Sequence, residues 1–182
     1  SRRQGGYGRG ARQKIESDSV KITGGIRSGL TIGSPLVIEI ENKDSRIHDF
    51  VSTPPLYRPR PGHADFSGAF KHNTTDCRNA LERASARETA ARTAAGCVAS
   101  QLLNLFKIEA FSFVRKIGKV SLSSNIPDDL NRSNINLLRR ERNNSEVYTL
   151  DSLVNKKMIE HIREAKKAKN TVGGQIECHV IN

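Results

Sequence analysis

The residues best suited to chemistry stand in one short stretch, from Pro59 to Leu103. His63 follows a Pro-Gly turn. The predicted start of a helix is flanked by Arg78, Arg83 and Arg87. A guanidinium group matches the oxygens of a phosphate or carboxylate two at a time, and an imidazole beside such an anion can give or take a proton near neutral pH. The stretch therefore predicts a site for a ligand with several negative groups and one proton-transfer residue.

The helix that would position these arginines is predicted to begin at Ser85. The letters S-A-R-E, from Ser85 to Glu88, match a capping box, in which the serine and glutamate side chains bind backbone N–H groups of the first turn. A mostly alanine face follows at helical spacing, at Ala91, Ala95, Val98, Leu102 and Phe106. Because small side chains permit a close approach, we expect this helix to be buried. Its first N–H groups and its dipole favour a bound anion.

The remaining pattern predicts an α+β fold with mostly antiparallel sheet. Strands are predicted within 20–23, 35–41, 107–120 and 175–181, and helices within 65–81, with a break at 72–75, and within 151–169. The segment 27–33 is predicted to be a loop. The segment 121–148 is polar, and we expect an excursion or insertion loop that can contain a short helix, with a solvated basic run. The whole chain, 1–182, is taken as one partial domain.

The chain is strongly basic, with a formal net charge of +11 over 182 residues. This charge favours an anionic partner: a nucleic acid, a membrane surface or a small polyanion. Aromatic residues make up 5% and tryptophan is absent, which leaves a nucleic acid few stacking platforms. No apolar run approaches the roughly 20 residues of a membrane span. A nucleic-acid-binding module with an arginine–glycine N-terminal segment is the alternative to a small-ligand site.

Three cysteines are present, and their spacing predicts no metal centre. Cys77, Cys97 and Cys178 lie far apart without C-x-x-C spacing, so we expect reduced thiols in a cytoplasmic protein. Cys97 is expected to be a small core residue of the alanine-rich helix. Since neither a nucleotide phosphate loop nor a dinucleotide-binding glycine motif occurs, a nucleoside triphosphate or Rossmann site has no support.

Three motifs resemble those of chorismate synthases. They are P-R-P-G-H-A-D from Pro59 to Asp65, E-R-A-S-A-R-E-T-A-A-R from Glu82 to Arg92, and R-R-Q-G-G-Y-G-R-G from Arg2 to Gly10. The motifs are long and correctly ordered, and the resemblance covers nearly the whole chain apart from a weak patch at about 121–148. It implies antiparallel sheets that sandwich long helices, and a homotetramer.

The resemblance also implies an activity, a lyase reaction on the route to the aromatic amino acids. Chorismate synthases convert 5-enolpyruvylshikimate 3-phosphate to chorismate by a 1,4-elimination of phosphate. They require reduced FMN although the reaction is redox-neutral, and NADPH enters only indirectly, to reduce the flavin. The substrate carries one phosphate and two carboxylates, which suits the arginine cluster found independently.

Residue roles follow from the same resemblance. His63 is implied to be one of two essential histidines and the proton donor to the reduced flavin. The substrate-binding residues are implied to be Arg3, Arg9, Arg12, Arg60 and Arg87. The FMN-binding residues are implied to be Arg83, Ala84 and Ser85. No role is carried over to His72, which is expected on the surface, and Asp76 and Arg78 could form structural ion pairs or line the pocket.

Two family motifs do not occur among these 182 residues. One is G-E-S-H-G, which holds the other catalytic histidine, and the other is a late arginine–aspartate segment. The chain begins at Ser1 and its only methionine is Met158, which indicates a fragment or a processed chain. We therefore expect these residues by themselves to be inactive or nearly so, while part of the anion-binding surface is kept.

Overall fold

The computed structural model describes residues 18–42, 49–84, 86–123, 130 and 132–182, without the side chains of residues 86, 87 and 132. Contacts divide the chain into two compact units, with the division between Val98 and Ala99. Within the described ranges, no helix combines the length and the apolar character needed to cross a membrane.

The described part of the first unit contains four short strands. They are β1 (Val20–Gly24), β2 (Ile26–Arg27), β3 (Leu30–Thr31) and β4 (Val37–Ile40). β1 pairs antiparallel with β4, and both strands lie where the sequence predicts them. The predicted loop at 27–33 instead holds the β2–β3 hairpin. Its turn residues Ser28 and Gly29 both have positive φ, 50° and 79°, which is the backbone of a tight two-residue hairpin turn.

Among the described residues, three helices follow these strands. They are α1 (Asp65–Lys71), α2 (Cys77–Arg83) and α3 (Ala86–Leu105). The break between α1 and α2 lies where it was predicted. The two helices pack closely, because a Cβ on Gly68 would lie 2.6 Å from the Cβ of Ala80.

The long helix α3 begins one residue after the predicted start, but it is not buried. Ala90 is 5% exposed, whereas Leu102 is 57% and Leu105 80% exposed. Cys97 is exposed as well, so its prediction as a core residue is wrong. An alanine-rich face is apolar enough to be buried, but it does not determine which element packs against it. Within the described residues most of this face stays exposed.

The second unit is built on a three-stranded antiparallel sheet. Its strands are β5 (Glu109–Ile117), β6 (Val120–Ser121) and β7 (Gly174–Ile181), in the order β6-β5-β7. The predicted helix near the end of the chain is α5 (Ser152–Lys167). The apolar stripe along one face of this helix buries Met158 and Ile159. The core contains Phe111, Phe113, Leu122, Ile135 and Ile181.

The segment expected to be an excursion contains a helix of 13 residues, α4 (Arg132–Asn144). Ile135 of α4 is 1% exposed and belongs to the core. The expected solvated basic run is also wrong in part, since Arg139 pairs with Glu109 and Arg142 lies 5.0 Å above the ring of Phe111. The few apolar residues of α4 lie at helical spacing among many polar ones, which hid this helix in the sequence.

Candidate active site

The segment P-R-P-G-H-A-D forms a turn that leads into α1. Gly62 has φ of +72°, a left-handed backbone that favours glycine. The Nδ1 atom of His63 lies 3.1 Å from the carbonyl oxygen of Pro61. Because a carbonyl oxygen can only accept, Nδ1 carries the hydrogen in this bond. The exposed ring therefore presents Nε2 as the atom that can exchange a proton with a ligand.

Asp65, the first residue of α1, anchors this turn. Its side chain is 0% exposed. Oδ2 accepts from the backbone N–H of Arg60 at 3.0 Å and from Nε at 2.8 Å, and Oδ1 accepts from the guanidinium Nη2 at 2.9 Å. The Arg60 side chain and then its backbone N–H hold the pKa of the Asp65 carboxyl well below its usual range. Asp65 is thus a buried, charged brace for residues 60–65.

Arg60 consequently has a structural bond in addition to the substrate role implied by the resemblance. Two of its three guanidinium nitrogens bind Asp65, and the side chain is 43% exposed. Asp65 raises the pKa of Arg60, chiefly through the side-chain hydrogen bond. A substrate contact of Arg60 would therefore be made by a guanidinium whose plane is already fixed.

A second carboxylate organises the connection before α2. Asp76 caps α2 by accepting from the backbone N–H of Arg78 at 2.9 Å, and it also accepts from the N–H of Leu56 at 2.8 Å. These backbone bonds, that of Leu56 first, lower the pKa of Asp76. The Nε of Arg78 donates to the carbonyl of Pro54 at 2.8 Å. Of the two possibilities left open for Asp76 and Arg78, these contacts favour the structural one.

The other predicted site residues are placed as follows. Arg83 ends α2 and Ala84 follows it, both exposed. His72 is exposed at the C-terminal end of α1. The residues Arg3, Arg9, Arg12 and Ser85, and the side chain of Arg87, lie outside the described part of the chain. The capping box at Ser85 lies there too, while Glu88 pairs with Arg92 at 3.0 Å, as the i,i+4 spacing predicts.

Sequence reasoning missed the role of Asp65. The residue was part of the quoted motif, but an aspartate in the first turn of a helix is an ordinary dipole-favoured residue. The available signal was its spacing of five from Arg60, across Pro61 and Gly62. A turn of that composition can fold back so that the two charges meet.

The fold and the site together define an α+β protein with a histidine-bearing turn among arginines. The family model for chorismate synthase matches residues 1–182, and the chain belongs to the chorismate synthase family. It is 46% identical to a chorismate synthase of Alkaliphilus metalliredigens, over 98% of this chain and 47% of the relative. It is 43% identical to one of Oceanobacillus iheyensis, over 98% and 48%.

A solved structure agrees with this assignment. The crystal structure of a chorismate synthase superimposes with a TM-score of 0.71 at 32% identity, covering 91% of this chain and 45% of the other. The predicted α+β fold is thereby confirmed. The chain spans about half the length of the curated relatives it matches.

Proposed function

We propose that this chain forms part of a chorismate synthase, which eliminates phosphate from 5-enolpyruvylshikimate 3-phosphate to give chorismate with the help of reduced FMN. The observation that carries the proposal is the braced turn that holds His63. There Nδ1 is hydrogen-bonded to the carbonyl oxygen of Pro61, which leaves Nε2 as the atom that exchanges a proton with the ligand. Membership in the family supports the reaction class.

His63 supplies the proton in this proposal. At a pH where the ring is protonated, Nδ1–H stays on the Pro61 carbonyl, and the Nε2–H is the proton that can be given up. The ring then becomes the neutral Nδ1–H form without turning over. A general acid on a fixed turn can therefore give up its proton without reorienting its ring.

The arginines bind the three anionic groups of the substrate. Arg60 and Arg87 act with Arg3, Arg9 and Arg12, and each guanidinium offers paired donors to a phosphate or carboxylate. Removal of one of them, as in Arg87→Ala, should weaken substrate binding roughly tenfold to a hundredfold, because a charge-assisted hydrogen bond is lost.

Arg83, Ala84 and Ser85 would hold the FMN. The exposed Arg83 offers donors that suit the flavin's phosphate, whereas the N–H of Ala84 already donates to the carbonyl of Ala80 at 2.9 Å. The small side chain of Ala84 would permit a close approach of the flavin. Reduced FMN, when bound, lends electron density that helps phosphate to leave. NADPH is proposed to serve only as the source of reducing equivalents for the flavin.

The test is anaerobic formation of chorismate from 5-enolpyruvylshikimate 3-phosphate with reduced FMN, together with calorimetric binding of the substrate. His63→Ala should abolish turnover of any active form, and His72→Ala is the matched control because His72 is a second exposed histidine without an assigned role. Product that persists in His63→Ala would contradict the proposed acid.

The expected low activity of these 182 residues by themselves stays a prediction, which the same assay decides. Substrate binding that is lost in Arg87→Ala would support the site even without turnover. Binding of structured RNA with preference for one fold, and none of the substrate, would favour the nucleic-acid alternative instead.

The homotetramer and the cytoplasmic location are also proposed on the family resemblance. Light scattering during size-exclusion chromatography would measure the oligomeric state. A monomeric mass at micromolar concentration would contradict the tetramer for this chain.

A further inference from the structure

We infer that Asp65 is a positioning residue that, through Arg60, fixes which nitrogen of the neutral His63 ring carries the hydrogen. For its role in catalysis, this inference rests on the proposed function. Asp65 accepts its hydrogen bonds from Arg60 and none from the imidazole. It acts by holding the six-residue turn 60–65 closed.

The first observation is the burial of a charge. Among the residues that the structure describes, Asp65 is the ionisable side chain that is fully buried. A buried carboxylate is costly unless hydrogen bonds and a counter-charge compensate it. All three of its hydrogen bonds come from one residue, Arg60, so the compensation is concentrated on the far end of the same turn.

The second observation is the path of the chain between the two charges. Pro61 has its φ restricted by its ring, and Gly62 takes a φ of +72°. Asp65 also binds both the backbone and the side chain of Arg60, so the first and last residues of the turn are joined to each other. The turn therefore has few conformations left to explore.

The third observation is that the His63 bond lies inside this closed turn. The donor Nδ1 belongs to His63 and the acceptor to Pro61, and both residues stand between Arg60 and Asp65. If the brace is broken, the Pro61 carbonyl is no longer held at 3.1 Å from Nδ1. A ring exposed to water then prefers the Nε2–H form. Donation of the Nε2 proton leaves the Nδ1–H form instead, so the product of proton donation is no longer stabilised by the Pro61 carbonyl.

The experiment is long-range ¹H–¹⁵N NMR of the imidazoles in the full chain, recorded without ligand at a pH where His63 is neutral. The signals of His63 among the five histidines are identified by their loss in His63→Ala. In the unsubstituted protein His63 should be mainly in the Nδ1–H form. In Asp65→Asn the Nε2–H form should become the majority.

Asp76→Asn is the matched control, because Asp76 also accepts backbone hydrogen bonds, from Leu56 and Arg78, but none from Arg60. It should lower the melting temperature without moving the His63 signals. Arg60→Lys is the second variant, used in case Asp65→Asn does not fold. It keeps the positive charge beside Asp65 but loses the paired guanidinium bonds, and it should shift His63 in the same direction.

Unchanged His63 signals in Asp65→Asn, or in Arg60→Lys where only that variant folds, would overturn the inference and leave Asp65 a purely structural residue. Equal shifts in Asp76→Asn would overturn it too. Because the measurement needs no substrate or flavin, a failure to form chorismate would count against the proposed function and not against the positioning of His63.

Discussion

At the scale of single residues, the site depends on which group each charged side chain contacts. Arg60 was assigned to the substrate by resemblance, and the structure adds Asp65 as its partner inside the protein. Arg78 is expected beside the start of the alanine-rich helix, but it lies in the first turn of α2, and its Nε donates to the carbonyl of Pro54, 24 positions earlier. Both contacts tie a loop to a helix by way of an arginine side chain.

The brace also makes stability depend on pH. The pKa of Asp65 lies below its ordinary value of 3.8 in the folded state, so the folded protein binds fewer protons than the unfolded chain near that pH. The stabilisation is therefore complete above about pH 4–5 and is lost as the pH falls through the folded-state pKa. We expect the difference in melting temperature between the unsubstituted protein and Asp65→Asn to narrow from about pH 5 towards pH 2, measured by circular dichroism. Parallel curves would contradict this assignment.

At the scale of helices and strands, close packing decides the effect of small substitutions. α1 and α2 approach so closely at Gly68 that an added Cβ would lie 2.6 Å from the Cβ of Ala80. An alanine normally favours a helix over glycine by about 1 kcal/mol. Here the steric conflict should outweigh that gain.

We therefore expect Gly68→Ala to destabilise the protein by about 1–3 kcal/mol, measured by urea denaturation. Gly96→Ala in α3 is the matched control, since no described atom lies within 4 Å of its added Cβ, and it should stabilise by about 0.5–1 kcal/mol. Equal effects of the two substitutions would show that α1 and α2 are not in this close contact.

The start of α5 supplies another element-scale prediction. Asp151 accepts from the backbone N–H of Leu153 at 2.7 Å and of Val154 at 2.8 Å. Asp151→Ala should cost about 1 kcal/mol of unfolding free energy because both N–H groups lose their acceptor. Asp151→Ser, which keeps a capping oxygen, should recover most of that loss. A serine variant no better than the alanine variant would exclude the cap as the cause.

At the scale of the whole molecule, the main features are a high net positive charge and a large exposed apolar surface. The +11 charge repels itself, and bound anions relieve that repulsion in the folded state. Large apolar side chains are exposed on both units, for example Phe70 at 86% and Ile176 at 76%. The chain spans about half the length of the curated relatives it matches.

The charge leads to a prediction about anions. Inorganic phosphate should raise the melting temperature more than chloride at equal ionic strength, because paired guanidinium donors match phosphate oxygens and bind them in the folded state. Differential scanning calorimetry in the two salts measures this. The effect should shrink in Arg87→Ala, and identical melting temperatures in the two salts would contradict a built anion site.

Much of the fold was determined by the sequence alone, because local spacing controls it. The strands β1 and β4, the break between α1 and α2, and the stripe of α5 follow from periodicity and turn residues within short windows. The motifs around His63 and Arg87 were equally local, and they sufficed to indicate the family that the comparison confirmed.

Only the tertiary structure decided which residues meet. The burial of Ile135 in a core with Phe111, the exposure of α3, and the fork between Arg60 and Asp65 all depend on backbone paths that short-range spacing does not define. The energy of a charge pair or an apolar contact falls steeply with distance, and those distances are set by the folded chain as a whole. For that reason the sequence could name His63 as a proton-transfer residue, while the atom that holds its proton had to be read from the turn.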